Sequence, residues 1–195
     1  MTEHAPQEAR ERVIIVADRL FTERGYQPVT LRDIAQEVGI RHASLYYHFP
    51  QGKEELFVEV TARRMCQYRE GLERAIQVVS PNWRDRLYAA AYWLLGQPPM
   101  HLGRMLQSDM RLISDEAAER LRLIVYESLM TPLAAIFRDA LVAHPDPAKR
   151  QRGVTLAGMF LSLIEGIDNL PSSYVTSSKQ ELVEIVLDVM LNGIT

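Results

Sequence analysis

Thr30-Leu31-Arg32-Asp33-Ile34-Ala35-Gln36-Glu37-Val38-Gly39-Ile40-Arg41-His42-Ala43-Ser44-Leu45-Tyr46-Tyr47-His48-Phe49 holds two short helical segments around one glycine. Thr30, with Asp33 three residues on, has the form of an N-terminal cap and opens a helix through Ile34, Ala35 and Val38. Gly39 stops that helix. A second runs from about Arg41 to His48, before Pro50-Gln51-Gly52 interrupts the chain. Two short helices joined this tightly form a helix-turn-helix. The second fits the DNA major groove, its first turns aimed at base edges while neighbouring donors grip phosphates. Helical cores contain the same turn, so the flanking sequence decides the reading.

Upstream, Val13, Ile14, Ala17, Leu20 and Phe21 fall on one face of an amphipathic helix, which Gly25 ends. Downstream, Leu56, Phe57, Val60, Met65, Tyr68, Leu72 and Ile76 predict one long helix from Lys53. Ser80-Pro81 predicts a cap and first-turn proline for a helix ending near Gly96. A short piece follows Gln97-Pro98-Pro99, from about Leu102 to Asp109. Ser114, before Asp115 and Glu116, caps a long helix that Pro132 kinks or divides. Beyond the turn His144-Pro145-Asp146-Pro147, two further helices cover roughly Ala148 to Asn169 and Lys179 to Asn192. No stretch alternates as a strand would. The predicted fold is all-α, with about nine helices.

The motifs Thr30 to Ala35, Val38-Gly39-Ile40, Ser44 to Phe49 and Lys53-Glu54-Glu55-Leu56 occur in order at fixed spacing. Together they resemble the amino-terminal DNA-binding module of the TetR family, over about residues 10 to 57. The rest of the chain is similar to the family only in length, helical content and its closing pair of apolar helices. The resemblance implies a homodimeric transcriptional regulator, generally a repressor, released from a palindromic operator by a small molecule. It divides the chain into a helix-turn-helix domain, residues 1–56, and a larger ligand-binding and dimerisation body, residues 57–195. By the same resemblance Tyr46, His48 and Lys53 contact the DNA backbone, and Arg32 reaches a base or phosphate. His42, Ala43, Ser44 and Tyr47 occupy the variable outward face that sets sequence preference. Tyr46 and Tyr47 are adjacent, so both cannot face one small core and at least one is exposed.

Two features depart from the family pattern. Arg41 stands where Ser or Thr commonly caps the recognition helix; losing that cap costs about 1 kcal/mol, and Arg41 is expected to reach a phosphate instead. Residues 1–56 also carry seven basic and nine acidic side chains, a net of −2. DNA binding therefore relies on local positive charge at Arg32, Arg41 and Lys53, and should weaken steeply with salt.

A helix-turn-helix reads only a few base pairs, so specificity demands two copies about one helical turn apart. Gly158, Ser162 and Gly166 form a small-residue stripe, and Val186 and Met190 lie on the apolar last helix. These predict a four-helix interface between two copies of the chain. Tyr92, Trp93, Met100, His101, Met105, Tyr126, Met130 and Phe137 supply adaptable apolar walls with polar tips, as a small-molecule pocket requires. The expected ligand is mainly apolar, with His101 its polar contact. The alternative is a DNA-binding dimer whose central helices are solidly packed, answering to a protein partner or to no ligand.

Composition sets the outer bounds. The 195 residues include 22 Lys or Arg and 25 Asp or Glu, a formal charge of −3, with 47% apolar and 24% charged residues. That is globular composition and excludes a disordered tail or a histone-like basic coat. The single Cys66 forms no internal disulfide. Met1 to Pro6 is polar, unlike a signal peptide, and no stretch reaches the roughly 20 apolar residues of a membrane span. A cytoplasmic location without membrane association is expected. The five His are scattered, and there is no phosphate-binding glycine loop. No catalytic residues, metal site or cofactor are therefore expected, and the chain is not read as an enzyme.

Overall fold

The computed structural model describes residues 4–171, 173 and 176–192, with side chains for 7–171, 173 and 176–190. The reading of Met1 to Pro6 falls outside those side chains. The regular elements are α1 (His4–Arg24), α2 (Leu31–Val38), α3 (His42–His48), α4 (Lys53–Gln77), α5 (Trp83–Leu95), α6 (Leu102–Gln107), α7 (Asp115–Val125), α8 (Thr131–Leu141), α9 (Pro147–Arg150), α10 (Gly153–Asn169) and α11 (Lys179–Asn192). A 3-10 turn spans Asp109–Arg111 and a π turn spans Tyr126–Met130. The all-α expectation holds. There are eleven helical stretches rather than about nine, because the runs after Ser114 and after Pro147 each divide.

The chain forms two units, residues 1–66 with 101–124 and residues 67–100 with 125–195. In the first, Val13, Ile14, Ala17, Leu20 and Phe21 of α1 are buried, as are Ile34 and Ala35 of α2, Leu45 of α3, and Leu56 and Phe57 of α4. Phe21 meets Phe57 edge-on at 5.2 Å, and Tyr26 lies 4.9 Å from Phe57. The predicted capping box is present: Asp33 N donates to Thr30 Oγ1 at 3.2 Å, and Thr30 N donates to Asp33 Oδ2 at 2.9 Å. Gly39 closes α2 in the left-handed region, φ +77°.

This box gives a first test. Thr30→Ala should cost about 1 kcal/mol of stability. The side-chain and backbone hydrogen bonds from Thr30 hold the Asp33 carboxyl below its ordinary value. A group depressed in the native state stabilises above its unfolded pKa and loses that contribution as pH falls through the native value. Melting temperatures of the wild type and Asp33→Asn should therefore differ at neutral pH and converge in acid.

In the second unit, α5, α8 and α10 supply the core through Leu87, Ala90 and Leu94, Leu133 and Phe137, and Phe160 and Ile164. Phe137 and Phe160 meet edge-on at 6.1 Å. Two local readings change here. Asn82 rather than Ser80 caps α5, accepting from Arg84 N at 2.9 Å, while the Ser80 hydroxyl donates to Asp85. Pro132 does divide the long helix, and the division is a π turn, with Thr131 N bonded to Tyr126 O. Proline has no N–H to give and crowds the carbonyl four residues back, so the widened turn accommodates its ring. Among the described residues no helix is long and apolar enough to cross a membrane.

Candidate nucleic-acid interface

α3 is anchored by what it buries. Leu45 and, just past its end, Phe49 are fully buried, and the Arg10 guanidinium lies 4.9 Å over the Phe49 ring. With Leu45 inward, helical geometry turns His42, Ala43, Tyr46 and Tyr47 outward, flanked by half-buried Ser44 and His48. Both tyrosines are exposed, Tyr46 by 48% and Tyr47 by 78%, so neither serves as core. His42 meets Tyr46 edge-on at 5.4 Å and Tyr47 meets His48 at 5.2 Å. The face therefore presents hydroxyls and ring nitrogens on a partly braced aromatic surface. Arg41 occupies the cap position in extended conformation and makes no side-chain cap bond, as its residue type predicts.

The acidic balance of residues 1–56 resolves into pairs. Arg64 binds the Asp18 carboxylate and Arg10 binds Glu59. Arg63 holds Glu11 at 2.8 Å and Glu59 at 2.9 Å, and Arg19 pairs with Glu37. Arg32 and Arg41 are exposed, and among the described residues no carboxylate forms an ion pair with either. The net negative charge is thus largely spent in pairs with α1 and α4. Free cations remain on α2 and at the start of α3.

Lys53 does more than the motif implies. Its ammonium sits 4.1 Å over the Tyr26 ring and donates to Gln27 O at 3.3 Å. Burial lowers its pKa from the ordinary lysine value, and the nearby Asp109 and Asp33 charges oppose that shift. One donor is used within the chain, which leaves two for a phosphate. Sequence reading missed Tyr26, Gln27 and Asp109 as its neighbours. Asp109 lies 83 residues from Tyr26, beyond any local pattern.

The residues read as ligand contacts divide. His101 and Met105 belong to the first unit; Tyr92, Trp93, Met100, Tyr126, Met130 and Phe137 belong to the second. Phe137 is fully buried on Phe160, and Met105 is buried, whereas Tyr126 is exposed. The Tyr92 hydroxyl bonds Glu184 at 3.3 Å. The Trp93 indole lies on Gly71, where a Cβ would come within 2.1 Å of it, and meets Tyr68 edge-on at 5.5 Å. His101 holds a left-handed backbone, φ 50°, at the start of α6.

Of the residues read as a dimer surface, Ser162 and Gly166 are exposed on α10, Gly158 is half-buried with the methyl of Met130 within 3.5 Å of its would-be Cβ, and Val186 and Met190 are half-buried on α11. The exposed face of α10 comprises Thr155, Met159, Ser162, Leu163, Gly166 and Leu170, without a charge. Opposite it, Ala157, Phe160, Ile164 and Ile167 form the buried face. Among the described residues no group of three or more His, Cys, Asp or Glu is placed to hold a metal ion.

Residues 13–60 match the family model described as bacterial regulatory proteins, tetR family. The chain is similar to the icaADBC negative transcriptional regulator IcaR of Staphylococcus epidermidis, 46% identical over 48 residues, which is 25% of each chain. It is also similar to the transcriptional activator FasR of Mycolicibacterium smegmatis, 34% identical over 83 residues, 43% of this chain and 37% of that one. The alignments thus span about a quarter to two-fifths of these relatives' length. Among solved structures, AibR in complex with isovaleryl coenzyme A and operator DNA matches with TM-score 0.71 and 18% identity, over 94% of this chain and 96% of that one. At that identity the likeness is one of fold.

Proposed function

We propose, from the premise that the chain belongs to the TetR family of bacterial regulatory proteins, that it is a homodimeric repressor released from a palindromic operator by a mainly apolar small molecule. The observation that carries the DNA half is the outward face of α3, His42, Ala43, Tyr46 and Tyr47, bordered by Arg32 and Arg41, to which no carboxylate is paired. In this reading Arg32, Arg41, Tyr46, His48 and Lys53 hold phosphates. The other α3 residues, His42, Ala43, Ser44 and Tyr47, set sequence preference. Selection from a random-sequence DNA pool tests it: recovered sites should be inverted repeats with half-sites about one helical turn apart. Recovery of a single unrepeated half-site would contradict the dimeric reading.

The uncharged face of α10 supports a two-fold interface with α11 at its side, because small and apolar residues at helical spacing let a symmetric copy approach closely. IcaR is named a negative regulator and FasR an activator, so a reporter fusion measured with and without the protein decides the sign. Repression requires only that the dimer occlude a promoter. The AibR complex with an acyl coenzyme A supports a ligand response. A ligand releases DNA only through different affinities for the two conformational states.

The packing of Trp93 on Gly71 and of Phe137 on Phe160 favours a second reading, in which the central helices are filled and no small molecule enters. Thermal shift against apolar ligands separates the two. A ligand at 100 times its Kd should add about 2.7 kcal/mol to an open site and nothing to a filled one.

A further inference from the structure

Asp109 is only 6% exposed, and the interface described above makes no use of it. Its Oδ1 accepts from Tyr26 N at 3.0 Å, and its Oδ2 lies 3.7 Å from Arg104 Nε. Arg104 in turn donates to the backbone carbonyls of Phe21 and Thr22. These belong to the last turn of α1, where carbonyls lack helical partners and the helix dipole is negative, so a guanidinium supplies a cap from a distant part of the chain. Gly25 makes room for the pair: its φ is +82°, and a Cβ there would come within 3.2 Å of Asp109 Oδ1. A second tie lies close by in sequence, with Ser114 N and Oγ donating to the Glu54 carboxylate at 3.0 and 2.6 Å. Residues 104–114 therefore grip both the end of α1 and the first turn of α4.

Packing alone does not call for these charges, since a buried ion pair is about matched in stability by well-packed apolar residues. What the pair does is fix backbone position. Asp109 holds the Tyr26 backbone, the Tyr26 ring carries the Lys53 ammonium, and the next carbonyl, Gln27 O, accepts from it. We infer that Arg104 and Asp109 are positioning residues for DNA binding, setting Lys53 for its phosphate through Tyr26 without touching DNA themselves. The inference rests on the reading of Lys53 as a phosphate contact.

The test has one arm without DNA and one with it. In the first, amide hydrogen exchange of the whole protein should show Tyr26 N–H exchanging at least about tenfold faster in Asp109→Ala, the loss of one hydrogen bond to a charged acceptor. Asp109→Asn, which keeps an acceptor oxygen, should restore protection and guards against a variant that fails to fold. In the second, the slope of log affinity against log salt should fall by about 0.9 in Asp109→Ala, the signature of one lost phosphate contact. Lys53→Ala should lower it equally, and the double variant should bind no more weakly than either single one. Multiplicative losses, an unchanged slope in Asp109→Ala, or unaltered Tyr26 exchange would each overturn the proposal. If the wild type binds no DNA while Tyr26 exchange still responds to Asp109→Ala, the proposal falls because the DNA-binding reading has failed, with the Asp109 tie intact.

Discussion

Met159→Glu combined with Leu163→Glu should give a folded monomer whose affinity for an inverted-repeat site is at least about a hundredfold weaker than the wild type's. The two side chains are exposed by 52% and 36% on the uncharged face of α10, so neither change opens a cavity in the subunit core. In the proposed dimer they would place four carboxylates in a desolvated apolar seam, where unpaired charge costs several kcal/mol. DNA affinity falls because the second half-site ceases to be an intramolecular binding event, a loss of about 10² to 10⁴. Sedimentation measures the assembly and fluorescence anisotropy the affinity. A variant that remains dimeric would show that α10 is not the seam. A monomeric wild type would remove the dimer altogether.

Gly71→Ala should destabilise the protein by about 3 kcal/mol, at the upper end of the usual cost of overpacking. Its new methyl would meet Trp93 Cζ2 at 2.1 Å and Cε2 at 2.7 Å, distances that force the indole out of its seat. The ring has other restraints: Tyr68 lies edge-on to it, and the Tyr68 hydroxyl is tied to Pro98 O at 2.7 Å. Trp93→Leu removes the obstructing ring, so in the double variant the two costs should fall short of their sum by more than about 1 kcal/mol, the behaviour of residues in contact. Urea denaturation of the four proteins completes the cycle. Additive losses would mean that Trp93 does not fill the Gly71 notch.

What the sequence disclosed depended on how local the chemistry was. The Thr30–Asp33 box, the Gly39 stop and the inward Leu45 are set by residues within a few positions of one another, and the structure shows each of them. The α5 cap was misplaced by two residues because Ser80 and Asn82 are both capping types. Only the Ser80 bond to Asp85 shows that the serine is otherwise engaged. The charge balance looked adverse to DNA binding until the pairing of Asp18 with Arg64 and of Glu11 with Arg63 appeared, each spanning about 50 positions. Asp109 under Gly25 and Trp93 against Gly71 left no periodic trace. Contacts between distant segments follow from packing, and a single sequence does not encode them as a pattern.

The central claim is that the face of α3, with Arg32, Arg41 and Lys53, binds DNA despite an acidic head. Fluorescence anisotropy with DNA from upstream of the protein's own gene and with a random-sequence pool, repeated across salt for the wild type, Tyr46→Phe and Lys53→Ala, tests it most directly. The account predicts tight binding that weakens steeply with salt, and lower affinity in both variants. It also predicts a salt slope reduced by about 0.9 for Lys53→Ala. Absence of binding to either DNA at low salt, or binding indifferent to both substitutions, would contradict it.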